Sequence, residues 1–347
     1  MFVEQRHELI LREVRERGSV RLAELVDRLG VSMVTLRRDV ETLAGQGLVH
    51  RVHGGITLPA AAETPRPASD RSLTIGMLVP SATYYYPSVI RGAREQAERL
   101  GARLVLGVSR YDDLEDRKQA QQLVDGGVEG LLLTPSRQPD ASHAEWLAGL
   151  GVPAVLVERR AELGGSASLL DAAASHHAHG AFLGTRHLAE LGHRRVAMVT
   201  RRSPTAPRVR HGFLSAVADL GLEVPGEFGV DQEGPSGQQV SDVVEAIGAG
   251  RVTGLLVHND EDALLLVQHL RIAGVRIPDD VSIVAYDDEV AALSDPPLTA
   301  VAPPKAAVGR SAVDLLVRRI EQGSSSPVRH VALLPELRVR ESTAPLR

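Results

Sequence analysis

The stretch "VSMVTLRRDVETLAGQGLVHRVHGG", Val31 to Gly55, sets two adjacent arginines in a helical pattern and closes on a basic segment ending in two glycines. Ser32 stands where an N-cap starts that helix, its hydroxyl placed to satisfy a free backbone N–H. Met33, Thr35, Arg37 and Arg38 then lie near the exposed start, while Val34, Leu36 and Val40 are expected to face inward. "GLVHRVHGG" reads as a short strand and turn carrying His50, Arg51 and His53, suited to a wing beside a nucleic-acid backbone. Upstream, Leu9, Ile10 and Val14, then Leu22, Leu25, Val26 and Leu29, keep helical period and are separated by Gly18 and Gly30. Short helices followed by a wing make a winged helix-turn-helix, whose second motif helix enters the major groove. Arginine there reads guanine through paired hydrogen bonds, for about 1–3 kcal/mol of discrimination. Alone, an Arg-Arg pair is usually a solvated face; Asp39 beside it is expected to orient one of the two.

The whole chain bounds the alternatives. Its 347 residues suggest about two domains, and 43% hydrophobic residues suffice for separate cores. The absence of cysteine excludes thiolate metal sites, thiol nucleophiles and disulfides. A net charge of -5 confines any nucleic-acid contact to a local patch. Glu4, Arg6 and Glu8 stand where a signal peptide needs an apolar run, and no membrane-length apolar segment follows, so the expected location is cytoplasmic.

Residues 57–72, "TLPAAAETPRPASDRS", lose periodicity and gain prolines, which reads as a linker between a domain at 1–56 and another at 73–347. After Leu73, apolar runs of strand length (LTIGMLVP, ARLVLGVS, VEGLLLTP, VPAVLVE, RRVAMVT, VTGLLVHND, DVSIVAYDD) alternate with helical stretches. Runs apolar on both faces belong to parallel sheets covered by helices. So long a βα region divides naturally into two lobes, with ligands bound at strand carboxyl ends facing the cleft.

Residues 5–55 resemble the N-terminal domain of the DeoR family of bacterial regulators, through Arg6, Leu25, Ser32, Thr35, Arg37, Arg38, Asp39, Gly47, Arg51, Gly54 and Gly55. Residues 73–343 resemble instead the effector domain of the lactose-repressor (LacI) family, related to periplasmic sugar-binding proteins. "TIGMLVPSATYYYPSVIRGAREQAERLG", "GAFLGTRHLAELGHRRVAMV" and "GLLVHNDEDALLLVQHLRIAGVRIPDDVSIVAYDD" carry that second resemblance. The implied fold is a small winged helix-turn-helix domain followed by a two-lobed α/β domain of the periplasmic-binding-protein type.

The resemblance implies a ligand set of Ser81, Tyr84, Tyr85, Tyr86, Glu158 and Asp260. A tyrosine offers a sugar an apolar face and a hydroxyl, although one or two of the three equally pack the lobe. Asp260 binds a ligand hydroxyl or caps the helix starting there, a task open to Asn259 too; Glu158 binds a hydroxyl or pairs with Arg159. Two positions depart from the family pattern. Val209 stands where an Arg is common, leaving flanking Arg208, favoured over Arg210, to reach the cleft; His176 and His177 stand where Asp-Asn is common. The "HHAH" run crowds adjacent residues at a helix start, poor support for a metal. Asp287 and Asp288 look fit for acid/base work but fall in a non-catalytic lobe of the resembled family. The expectation is a sequence-specific DNA-binding regulator, a dimeric repressor controlled by a small polar effector such as a sugar, with no catalytic residue, metal or cofactor. The rivals are a solute-binding receptor whose head docks a protein and, third, an enzyme with a sugar substrate in the cleft.

Overall fold

The computed structural model describes residues 3–17, 19–45, 49–52, 55–57, 73–161, 164–230 and 234–346; for several head residues, Arg37, His50 and Arg51 among them, only the backbone is described. Two compact units divide the chain, Met1–Asp70 and Arg71–Arg347.

The first unit runs α1 (Val3–Arg17), β1 (Ser19–Arg21), α2 (Leu22–Leu29), α3 (Met33–Gly45), β2 (His50–Val52) and β3 (Gly55–Thr57). The strands form a small antiparallel sheet in the order β1-β3-β2. Ile10, Val14, Leu25, Leu36, Val40, Leu43 and Ile56 fill one core, so every helix and the wing contribute to it. Thr57, expected in the linker, instead pairs with Ser19 and His50, because the wing needs a return strand. The remainder of the expected linker, 58–72, and His53 lie outside the described residues.

The second unit continues with β4 (Thr74–Val79), α4 (Tyr86–Arg99), β5 (Arg103–Val108), α5 (Asp113–Asp125), β6 (Gly130–Leu133), α6 (Ala141–Gly149), β7 (Ala154–Val157) and β8 (Asp171–Ser175). Then follow α7 (His177–Glu190), β9 (Val196–Arg201), α8 (Ala206–Leu220), β10 (Glu227–Val230), α9 (Gly237–Gly248), β11 (Gly254–His258), α10 (Asp260–Ile272), β12 (Ser282–Tyr286), β13 (Thr299–Ala302), α11 (Lys305–Gln322), β14 (His330–Leu333) and β15 (Glu336–Arg338). They build two six-stranded sheets, β14-β8-β7-β6-β4-β5 in the first lobe and β10-β9-β11-β12-β13-β15 in the second. The chain passes to the second lobe after β8, returns after β13 and crosses again between β14 and β15. Apolar runs are explained by burial on both faces: Ile75, Met77 and Val79 enter one core of the first lobe and Leu78 the other. In the second lobe, Leu255 and Val257 face one core and Leu256 the opposite one. Among the described residues, no helix is long and apolar enough to cross a membrane.

Each lobe seats a helix of the crossing chain against its own first helix. A Cβ on Gly92 of α4 would fall 2.0 Å from the Ala306 carbonyl oxygen of α11, and one on Gly212 of α8 would fall 1.9 Å from that of Ala178 in α7. Both obstacles are backbone, so a methyl must push the helices apart. Gly92→Ala and Gly212→Ala are each expected to cost about 1–3 kcal/mol or more, as overpacked cores do. Denaturant titration of each variant measures this, and an unchanged midpoint would show that the helices separate freely.

Candidate functional site

In the head, Ser32 Oγ accepts the Thr35 N–H at 3.1 Å and lies 2.8 Å from Thr35 Oγ1, so the serine caps α3. Leu36 and Val40 turn into the core, whereas Val34 is 78% exposed. This corrects the expectation that all three face inward: Val34 is about 200° around a 3.6-residue helix from Leu36. It shares its face with exposed Arg38, four residues on. That face pairs a guanidinium with a methyl surface, the groups that read guanine and the thymine methyl in a major groove. Ser32 is exposed, Met33 and Thr35 are half-buried, Arg37 belongs to α3, and His50 and Arg51 belong to β2.

Among the described residues, Asp39 is committed to α1. Its carboxylate accepts Arg6 Nε at 2.8 Å and Nη2 at 3.1 Å, with His7 Nε2 at 3.3 Å. It therefore ties α1 to α3; of the two arginines expected beside it, the Arg37 side chain lies outside the described residues. The Arg6 hydrogen bonds outweigh the opposing effect of burial and, with help from His7, hold the carboxyl below its usual range.

In the second unit a cavity of about 460 Å³ opens between the lobes, at the carboxyl ends of the strands. The first lobe lines it with Ser81, Thr83, Tyr84, Tyr85, Tyr86, Tyr111, Glu158 and Arg159. The second supplies Arg201, Arg202, Ser203, His258, Asn259, Glu261 and Asp287, and His177 stands at the crossing between them. Tyr84, Tyr111, Glu158 and Asp287 hold φ values of 56°, 61°, 53° and 89°. Left-handed backbone at side-chain-bearing residues costs on the order of 1–3 kcal/mol each and gathers where geometry serves a site.

Buried carboxylates organise the polar lining. Glu158 accepts the Tyr85 hydroxyl at 2.8 Å, the Ser175 N–H at 3.0 Å and the Ser175 hydroxyl at 2.9 Å, and lies 3.4 Å from His177 Nε2. Burial opposes its ionisation, yet the His177 interaction and these donors hold its pKa below the usual value. Arg159 does not pair with it through side chains; its guanidinium donates to the carbonyls of Pro135 and Glu158. Tyr84 donates to Asp260 and, at 3.3 Å, to Asp287, joining the lobes through one hydroxyl. Burial first, and neighbouring carboxylates second, push the Tyr84 and Tyr85 hydroxyls far above their usual pKa, so both remain donors.

The structure redistributes several expected ligand residues. Asp260 does not line the cavity: it is fully buried, and its Oδ2 accepts the N–H groups of Glu289, Val290 and Ala291 at 2.6, 2.6 and 2.9 Å. The α10 cap is Asn259, whose Oδ1 accepts the Asp262 N–H at 3.1 Å. Arg208 donates to the Arg160 carbonyl at 2.7 Å and, with His176, lines a different cavity; Val209 is buried in the core. The second lobe's arginines in the cleft are Arg201, the last residue of β9, forked onto Asp262, and Arg202 directly after it. Asp287, read as a strand-end feature of a non-catalytic lobe, faces the cavity together with Glu158 and Glu261. The "YDD" run marked it, but its direction depends on the left-handed turn after β12.

Burial pushes the Asp287 pKa up to about 7, with Asp260 adding repulsion and Lys305 opposing. His258 is driven down to about 3, mainly by burial, and stays neutral. A carboxyl whose pKa is raised on folding stabilises the fold at low pH and loses that contribution as pH rises through the folded value. Wild-type stability is therefore expected to fall from about pH 4, where a free carboxyl ionises, to about pH 7 and to level off above it, and Asp287→Asn to flatten that decline. Thermal melts of both chains across this range test it; parallel profiles would assign the decline to another group.

The geometry agrees with what the chain resembles. Residues 6–61 match the model of the DeoR-like helix-turn-helix domain and residues 185–343 that of a periplasmic binding protein-like domain. The chain is 28% identical over 335 residues to an arabinose metabolism transcriptional repressor of Geobacillus stearothermophilus, covering 92% of this chain and 90% of that one. It is 31% identical to the HTH-type transcriptional repressor PurR of Aliivibrio fischeri strain MJ11, over 72% of this chain and 74% of the relative. A LacI family transcriptional regulator from Enterococcus faecalis V583, solved with bound ribose, superimposes with a TM-score of 0.64 at 27% identity, covering 79% of this chain and all of the other. The chain thus belongs to the LacI family of transcriptional regulators in its two-lobed body and carries a DeoR-type helix-turn-helix at its head.

Proposed function

We propose that this protein is an operator-binding repressor, acting as a homodimer, whose grip on DNA is set by a sugar held between the lobes. The cleft carries this reading: tyrosine faces, fixed hydroxyl donors and a carboxyl of intermediate acidity surround a cavity of about 460 Å³. A polyhydroxylated ring needs that combination, apolar faces for its C–H surface and paired donors and acceptors for its hydroxyls. The bound ribose of the Enterococcus faecalis regulator and the arabinose role of the Geobacillus repressor support the ligand class. In this reading Ser81, Tyr84, Tyr85, Tyr86, Glu158 and His177 contact the sugar, and Arg202, Asn259 and Asp287 join them from the second lobe.

A ligand touching both lobes favours their closed arrangement, which Tyr84–Asp287 at 3.3 Å and Gln138–Pro204 at 2.5 Å already bridge. Moving a switch from 1:99 to 99:1 takes about 5.5 kcal/mol of preference for one state. Closure then alters the dimer and, through it, the spacing of the heads over half-sites.

DNA reading is tested by selecting duplexes from a random pool and measuring the winning sequence against salt. Arg38→Ala is expected to weaken the selected duplex about 10- to 100-fold, the worth of one bidentate base contact, without lowering the melting temperature. A linear fall of log affinity with log salt is expected alongside. Salt-independent or unselected binding would favour the receptor reading.

The cleft is tested by thermal shift with a panel of pentoses, hexoses and disaccharides. A ligand at 100 times its Kd adds about 2.7 kcal/mol. Tyr85→Phe, which removes the donor to Glu158, should weaken the responding sugar while operator binding without sugar persists. If no sugar shifts the melt, the effector belongs to another class.

A further inference from the structure

The loop between β6 and α6, residues 134–140, reaches from the first lobe to the second. Its base is fixed from three directions. The Thr134 N–H donates to the Leu78 carbonyl of β4 at 2.9 Å, the Pro135 carbonyl accepts Arg159 Nε at 2.9 Å, and the Ser136 N–H donates to Asp116 at 2.7 Å. Asp116, on α5, is fully buried, so the last of these bonds is shielded from water. Arg137 adds an ion pair to Asp113 at 3.0 Å, and Asp140 caps α6 by accepting the Ser142 N–H at 3.0 Å.

From that base the Gln138 side-chain amide donates to the Pro204 carbonyl of the second lobe at 2.5 Å. A carbonyl only accepts, so the amide must present its N–H there. Pro204 stands just ahead of α8, whose first turn is fixed by Ser203 Oγ accepting the Ala206 N–H at 3.0 Å. The two partners stand differently toward the sugar cleft. Pro204 lines the cavity beside Ser203 and Thr205, whereas Gln138 does not. A sugar filling the cavity can take over the bonds of the Tyr84 hydroxyl, which also joins the lobes, but the Gln138 bond lies behind the lining. One hydrogen bond moves an equilibrium about 2- to 12-fold. A bond of that size poises two lobes without locking them.

We propose that Gln138 is a latch outside the sugar site, gripping the segment ahead of α8 and setting how much of the sugar-free protein already has its lobes closed. Its regulatory meaning rests on the sugar-controlled closure proposed above. The latch positions one wall of the cleft, residues 203–205, from the opposite lobe before any ligand arrives.

The test is double electron–electron resonance on the full chain. The chain contains no cysteine, so Gln122→Cys in α5 and Ala218→Cys in α8, both exposed, place one spin label on each lobe. Diluting labelled into unlabelled protein confines the signal to distances within one chain. Without sugar, Gln138→Met, which keeps the side-chain length and loses the donor, is expected to move the open-to-closed ratio about 2- to 12-fold toward open. Gln138→Lys, which keeps a donor, should stay close to the unsubstituted pattern. A sugar that binds the unsubstituted chain should bind Gln138→Met more weakly, to the extent that the closed fraction has fallen. Melting curves identify a variant that has lost its fold, in which case Gln138→Ala replaces it. Coinciding sugar-free distances in the Gln138→Met and unsubstituted chains would overturn the latch and leave the sugar reading intact. A Gln138→Lys chain as open as Gln138→Met would also overturn it, assigning the effect to packing of the loop. A sugar that binds without moving the distance in either chain would sink sugar-controlled closure, while a difference between the sugar-free chains would still support the latch.

Discussion

Negative charge buried between the lobes is the constraint around which this body is arranged. Glu158, Asp260 and Asp287 are each 5% exposed or less, and an unpaired carboxylate at that depth costs several kcal/mol. Each is resolved differently. Asp260 takes three backbone N–H groups, Glu158 takes Ser175, Tyr85 and His177, and Asp287 shifts toward its neutral form. Two of those solutions use tyrosines from the segment after β4, so the cleft lining and the contact between lobes are one network. Lys305 extends it: at the start of the returning helix α11 its ammonium bonds Glu289 at 2.5 Å and sits 5.0 Å from the centre of the Tyr85 ring. A ligand that replaces part of this network acts on lobe geometry through the same bonds that hold the lobes together.

The head meets its own constraint on a smaller scale. A unit this small buries little apolar surface, and its few core residues come from every helix and from β1 and β3 of the small sheet. The Arg6–Asp39 fork adds a directional tie between α1 and α3, which fixes the rotation of the recognition helix about its axis. Rotation decides which side chains α3 exposes, so this distant pair sets the face that carries Val34 and Arg38.

Much of this was legible along the chain. Helical period located the head helices, Ser32 announced the start of α3, and runs apolar on both faces implied covered parallel sheets. Periodicity works here because burial is local to each element. It failed at Val34, where a hydrophobic residue was assigned to the core without following the helix angle. The Arg6 partner of Asp39 was likewise invisible, because charge partners far apart in sequence leave no trace in spacing. In the cleft, the tyrosine run and Glu158 were recognisable as candidates. Arg201, Arg202 and His258 were not, and Asp287 was noticed only as half of a carboxylate pair, since their place in the cleft comes from strands that end there and from the left-handed turn after β12.

The order of residues thus settles which segments become helices and strands and that parallel strands end at a common cleft, since these follow from local periodicity and from the ends of parallel strands. Which carboxylates are consumed as structure and which face the cavity follows from the folded chain alone. Asp260 and Asp287 are the same residue type, both at strand ends. Packing places the first over three backbone N–H groups, and the turn after β12 sets the second on the wall of the cavity. Arg208, one residue from the position the family pattern favours, is carried by the helical rotation of about 100° per residue to a different cavity.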